Sequence, residues 1–179
     1  MITRHMQTLS ITSIPSPTGN AEVVHRAPSS EMTGEPNKEI IRHYWNAINS
    51  GDAKAAADFW AESSINHGQE RPHAEVERLH ESLIRIYEHV TIHEMVAEGD
   101  WVVCRITAQG RHNAQPAIPF DSGIYLLTKP SGRAFSFQHI HMFRIVGGKI
   151  KEHWANRDDL GAAKQLGLEL TSGKGSGTT

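Results

Sequence analysis

Apolar positions recur every three to four residues in the first half of the chain and every two residues in the second. In "NKEIIRHYWNAIN" the spacing of Ile40, Ile41, Tyr44, Trp45 and Ile48 predicts an amphipathic helix, with Asn37 as its N-cap. After Gly51 the segment "SGDAKAAADFW" restarts a short helix capped by Asp52, which brings Phe59 and Trp60 to its end. A third helical stripe runs through "PHAEVERLHESLIRIYEH", carried by Val76, Leu79, Leu83, Ile84 and then Ile86 or Tyr87. From Val90 onward the period is two, over 90–98, 101–112, 122–129, 134–146 and 149–154, and turn residues separate the segments: "EGD", "KPSG" and "GG". These are antiparallel hairpins. A last helix, "DDLGAAKQLGL", follows. Helices first and a meander afterwards predict an α+β domain, with helices packed on one face of a curved sheet around an internal pocket. Proline, serine and glycine mark residues 1–36 as a flexible leader, with one short strand near Ala21 to His25. The domain then covers 37–170, and the linker-like "TSGKGSGTT" makes 171–179 a disordered tail.

Alternation also says which side chains see the pocket. In 134–146 the odd positions Phe135, Phe137, His139, His141, Phe143 and Ile145 form the apolar, inner line. Two histidines on that line stand about 7 Å apart at the rise of an extended strand. A buried imidazole needs an acid, a water, a ligand or the backbone as partner. In the next strand the same parity puts Ile150, Glu152 and Trp154 inward and His153 outward. Asp158 and Asp159 stand at the strand-to-helix junction, where either can cap the last helix. Val102, Cys104, Ile106 and Ala108 face the core from 101–112, so Arg105 faces out, toward solvent or a dimer contact. His112 has the inner parity, and His67, at the end of "SSINH", sits at the pocket mouth.

Composition narrows the partners. A net charge of −2, with charged residues spread along the chain, supplies no basic stripe for nucleic acid. No apolar run spans a bilayer and no signal core opens the chain, so a soluble protein is expected. The single cysteine, Cys104, excludes an internal disulfide framework and fits a reducing cytoplasm. Of the twelve histidines, His43, His80, His89 and His93 lie in helix or strand stretches and are expected to be structural.

Five segments in order, "YWNAINSGD", "INH" at 65–67, "MVAEGDWVVCRITAQGRH", "FRIVGGKIKEHW" and "DDLGAAKQLG", resemble the SnoaL-like polyketide cyclases of the NTF2-like superfamily. The resemblance covers Asn37 to Leu168. It implies an NTF2-like cone-shaped barrel, commonly a homodimer, that needs no cofactor and closes a polyketide ring by intramolecular aldol condensation. It also implies an acid/base aspartate, matched by the W-x3-D spacing to Asp158, and assisting histidines in an apolar cavity, with "INH" supplying His67. The run "GRHNAQPAIPFDSG" keeps His112 but departs from the family pattern at the pocket rim.

The expected chemistry is acid/base catalysis on a small, apolar carbonyl substrate, by an aldol-type cyclase or a related lyase or isomerase. Asp158 removes a proton alpha to a carbonyl, and His67, His139 and His141 stabilise the enolate oxygen. Phe137, Phe143, Glu152, Trp154 and His112 line the pocket. Three other readings stay open: a non-catalytic binding module, a metal site on His139-x-His141, and an epoxide hydrolase, which would need Arg and Asp two apart on a strand where Arg105 is followed by Thr107. A carboxylate within hydrogen-bond reach of His139 or His141 would favour the enzyme, and its absence the binder.

Overall fold

In a computed structural model of the chain, residues 34–115 and 128–168 are described. Residues 1–33 of the leader, with its short strand, most of the 122–129 strand and the tail lie outside the described residues, and the last three leader residues, 34–36, open the first helix. Among the described residues, four helices, α1 (Gly34–Asn49), α2 (Ala53–Ala57), α3 (His73–Ile84) and α4 (Asp159–Leu166), accompany six strands. The strands are β1 (Trp60–Asn66), β2 (Gln69–Pro72), β3 (Tyr87–Glu98), β4 (Trp101–Arg111), β5 (Ala134–Val146) and β6 (Lys149–Arg157), in the order β2-β1-β6-β5-β4-β3. The sheet is open, and its helices cover one face. This is the α+β cone without barrel closure.

The helical stripe of α1 does what its spacing predicts. Ile41, Tyr44, Trp45 and Ile48 are buried against Val90, Val102, Cys104, Ile106, Phe143 and Ile145 of β3, β4 and β5. Each such side chain contributes about 1.5–3 kcal/mol by leaving water. Asp52 caps α2 through the Ala55 N–H at 2.8 Å. Asn37 is not a cap: α1 begins three residues earlier, at Gly34, and the Asn37 amide instead donates to the Gly99 carbonyl across the β3–β4 turn.

Two departures from the expected topology shape the site. Residues 60–72, read as the end of a helix and a loop, form a hairpin whose turn residues His67 and Gly68 have φ of 50° and 76°. Positive φ at both central positions matches a type I′ turn, the twist a two-residue hairpin needs. β1 then pairs with β6 in parallel, next to the histidine-bearing strands. The second departure is a bulge in β6. Ile150 pairs with Ile145 and Glu152 with Arg144, so Lys151 is an extra residue with no partner position. Every residue beyond it changes face.

Candidate active site

β5 alternates as its pattern predicts: Phe135, Phe137, His139, His141, Phe143 and Ile145 are all buried, while their neighbours are exposed. β6 does not. Because of the Lys151 bulge, His153 pairs with Phe143 and faces inward, whereas Glu152 and Trp154 pair with the outward residues Arg144 and Met142. The expected pocket positions of Glu152 and Trp154, and the outward position of His153, are therefore corrected. Outside, the Trp154 indole N–H donates to Glu152 Oε1 at 2.9 Å.

The inward turn of His153 completes a line of rings. His139 Nδ1 lies 3.1 Å from His141 Nε2, His141 Nδ1 lies 2.9 Å from His153 Nε2, and His153 Nδ1 lies 2.8 Å from Asn66 Oδ1. Asn66 is the last residue of β1 and is buried; the parallel pairing of β1 with β6 sets it directly beside His153. His139 and His141 stack at 5.3 Å and His141 and His153 at 5.2 Å, with Trp45 edge-on to His141 and Trp60 edge-on to His153. Phe137 covers the outer side of His139 at 4.6 Å. Neither Asn66 nor His153 was among the expected site residues. The period-two signal fails in β6, and only the "INH" segment pointed near Asn66.

Burial keeps His139 and His141 uncharged. Loss of water, reinforced by the nearby Arg157, pushes His139 down to about 3. His141 is held well below the ordinary histidine value, first by burial and then by His153 and His139. A separate buried histidine, His80, is lowered to about 4 by burial, and its Nε2 stands 3.1 Å from the Tyr44 hydroxyl, a structural pairing within the helix layer.

The other expected residues fall in different places. His67 sits in the hairpin turn, half-buried, its ring 5.4 Å edge-on from His153. It thus borders the outer end of the line rather than joining it. His112 is buried beyond the end of β4, six residues past Ile106, the partner of His139, with Nδ1 3.4 Å from Ser131 Oγ. Asp158 is exposed and caps α4, its Oδ1 accepting from the Gly161 N–H at 2.8 Å. Its own N–H donates to Gln138 O at 3.0 Å, and the preceding Arg157 pairs with His139. Asp158 therefore stands where β6 ends, one residue beyond the level of His139. Phe137 and Phe143 keep the inner face.

The ring nitrogens bond one another instead of converging on a point, and among the described residues no group of three His, Cys, Asp or Glu is arranged to hold a metal ion. Arg105 faces outward in a two-bond pairing with Glu94, at 2.6 and 2.7 Å, away from this site. An open hollow of about 460 Å³, lined by residues including Glu88, Gln109, Ser136 and Gln165, is dominated by outward-facing side chains of β3, β4 and β5. It lies apart from the imidazole line.

A helix-covered, bent open sheet with acid/base side chains on its inner wall is the scaffold of an NTF2-like small-molecule protein. The family follows from residues 38–166, which match the SnoaL-like polyketide cyclase profile; the chain belongs to that family and is an enzyme of the polyketide cyclase class. It is 27% identical over 141 residues to the aklanonic acid methyl ester cyclase DauD of Streptomyces sp. (strain C5), covering 74% of this chain and 82% of that one. To the nogalonic acid methyl ester cyclase of Streptomyces nogalater it is 35% identical over 80 residues, 45% of this chain and about half (51%) of the relative. Among solved structures, TsrD from Streptomyces laurentii superposes with a TM-score of 0.59 at 27% identity, over 75% of this chain and 97% of that one. AclR from Streptomyces galilaeus gives 0.60 at 22% identity, over 75% and 98%, a likeness of fold.

Proposed function

We propose that the chain closes a ring in a small, apolar, polyketide-type carbonyl substrate by intramolecular aldol condensation without a cofactor, as suits a relative of methyl ester cyclases. The observation that carries this reading is Nε2 of His139, which is buried and has no hydrogen-bond partner. Leaving a buried acceptor or donor unpaired costs about 1–3 kcal/mol, and a bound substrate would recover that cost. Asp158 is the proposed base. Its Oδ1 holds α4, and among the described residues no hydrogen bond engages Oδ2. Asp158 takes the proton alpha to a carbonyl, the resulting enolate attacks a second carbonyl, and the new alkoxide takes the proton back from the Asp158 carboxyl, so no net proton is consumed. His139 meets the substrate's oxygen-bearing end, and His141, with both ring nitrogens engaged, holds the His139 ring in place; Phe137 and Phe143 form the apolar wall, His67 stands at the outer end and His112 lines the far side.

A second reading, a binding module without turnover, is favoured by one observation: among the described residues no carboxylate is hydrogen-bonded to His139 or His141. Incubating the purified protein with aklanonic acid methyl ester, the substrate named for its relatives, separates the two. Loss of substrate without added cofactor supports the cyclase; a thermal shift with no product supports the binder.

Two further parts of the proposal concern setting. Ile140, Met142, Val146 and Trp154 are exposed on the outer face of β5 and β6, a surface suited to a second copy of the chain. Light scattering at twice 19.9 kDa would support the homodimer, and a monomer mass would reject it. Cytoplasmic residence suits the lone, buried Cys104 thiol, and among the described residues no helix is long and apolar enough to cross a membrane.

A further inference from the structure

The hydrogen bonds of the imidazole line have a direction, and Asn66 sets it. A neutral imidazole has one N–H and one bare nitrogen, so fixing the role of one fixes the other. Asn66 presents Oδ1, which can only accept, so His153 carries its proton on Nδ1 and leaves Nε2 bare. Nε2 of His153 must then accept from His141 Nδ1–H, which leaves His141 Nε2 bare to accept from His139 Nδ1–H. The last member, His139 Nε2, is therefore a bare lone pair, buried and without a partner. Burial holds His139 and His141 neutral, so each carries one proton, and beside a neutral His153 the order is fixed.

Trp45 Nε1, Trp60 Nε1 and His80 Nδ1 are likewise buried without a hydrogen-bond partner among the described residues, but none of them ends the imidazole line. His139 Nε2 does.

We propose that Asn66, acting through His153 and His141, fixes His139 Nε2 as a hydrogen-bond acceptor, so that the deep end of the site selects substrates presenting a hydroxyl group, phenolic or enolic, over a carbonyl or an ether. Asn66 and His153 are positioning residues in this scheme, and His139 is the group that meets the ligand. The expectation that histidines donate to an enolate oxygen is thereby reversed for His139. The inference rests on the proposed function only in taking the inner face as the substrate wall. Its test needs no turnover, so a failed cyclase assay and a failed selectivity test are distinguishable.

The experiment has two arms. In the first, nitrogen-15 NMR of histidine-labelled protein assigns the protonation of each ring nitrogen. His139 Nε2 should resonate as an unprotonated nitrogen in the parent, and partly as a protonated one in Asn66→Ala, where the fixed acceptor is gone. Asn66→Gln, which keeps a neutral amide oxygen as acceptor, should restore the parent pattern. A protonated Nε2 in the parent overturns the proposal. In the second, 1-naphthol and 1-methoxynaphthalene are titrated against parent and variants. The parent should bind the naphthol about 10- to 100-fold more tightly, the penalty an ether incurs for burying the acceptor unpaired. Asn66→Ala should lose most of that preference and Asn66→Gln should keep it. Equal binding of both probes by the parent, or binding of neither, overturns the proposed hydroxyl site.

Discussion

Asp158→Asn separates the two roles that meet at this residue. As an N-cap, Asn is about as good as Asp, so the Gly161 N–H keeps its acceptor and α4 keeps its start. The lost negative charge at the helix N-terminus costs about 0.3–1 kcal/mol. Asp158→Ala removes the cap itself, at about 1 kcal/mol within a range of about 0.5–2. For a domain of this size that lowers Tm by about 3–5 °C. Chemistry responds on a different scale. An amide cannot take the alpha proton, and loss of a placed acid/base group slows turnover about 10²- to 10⁴-fold. That corresponds to about 3–5.5 kcal/mol of barrier, several times the stability change. The assay pairs thermal melting with the rate of aklanonic acid methyl ester consumption. Asp158→Asn should melt within about 3 °C of the parent and turn over at least about 100-fold more slowly. Turnover within about threefold of the parent would reduce Asp158 to a helix cap and refute the assignment.

Acid should unfold the protein through its buried histidines. In the unfolded chain they take up protons near pH 6.5, whereas burial holds folded His80 at about 4, His139 at about 3 and His141 well below the ordinary histidine value. The unfolded state thus binds more protons below pH 6.5, so this stabilisation is complete above that pH and is lost as pH falls toward the folded values. Three such groups give a slope of about 4 kcal/mol per pH unit, enough to consume a typical stability of about 10 kcal/mol near pH 4. Denaturant stability that stays constant from pH 7 to 5 would contradict this. A Cβ on Gly110 would stand 2.0 Å from the Ile86 carbonyl oxygen, where strand β4 meets the start of β3. Gly110→Ala should therefore cost more than about 3 kcal/mol in urea unfolding, since backbone rather than a side-chain tip must move. Burial raises the Cys104 thiol to about 11, so it should stay unreactive toward a disulfide reagent at pH 8 until the protein is unfolded. Rapid labelling of the native protein would show that the core around Trp45 opens.

Much of this architecture is legible in the sequence because the strong signals are local. The α1 stripe and the alternation of β5 are set by burial on one face, and both appear where periodicity puts them. The hairpin of β1 and β2 is harder to read, since "WAESSIN" and "QERP" are short and largely polar. Its one signal is Gly68 after His67 between two runs of chain. β6 misleads for a different reason. Parity counting assumes an unbroken ladder, and "KIKEHW" holds no glycine or proline to mark the bulge at Lys151. The histidine that completes the site is thus assigned to the wrong face by a correct rule applied across a hidden insertion. Asn66 escapes because its importance comes from a parallel pairing between segments almost ninety residues apart, a relation periodicity cannot carry.

The Lys151 bulge makes the inner wall addressable by register. Absorbing that residue into the ladder opposite Arg144 would carry Glu152 and Trp154 into the interior and His153 out to solvent without altering any side chain, whereas deleting it would straighten the strand and leave His153 inside. With the bulge absorbed, a histidine line would become a carboxylate beside an indole. Within one fold, a one-residue shift of register could therefore exchange one chemical lining for another, and diversification of such cones need not proceed by point substitution at the site itself.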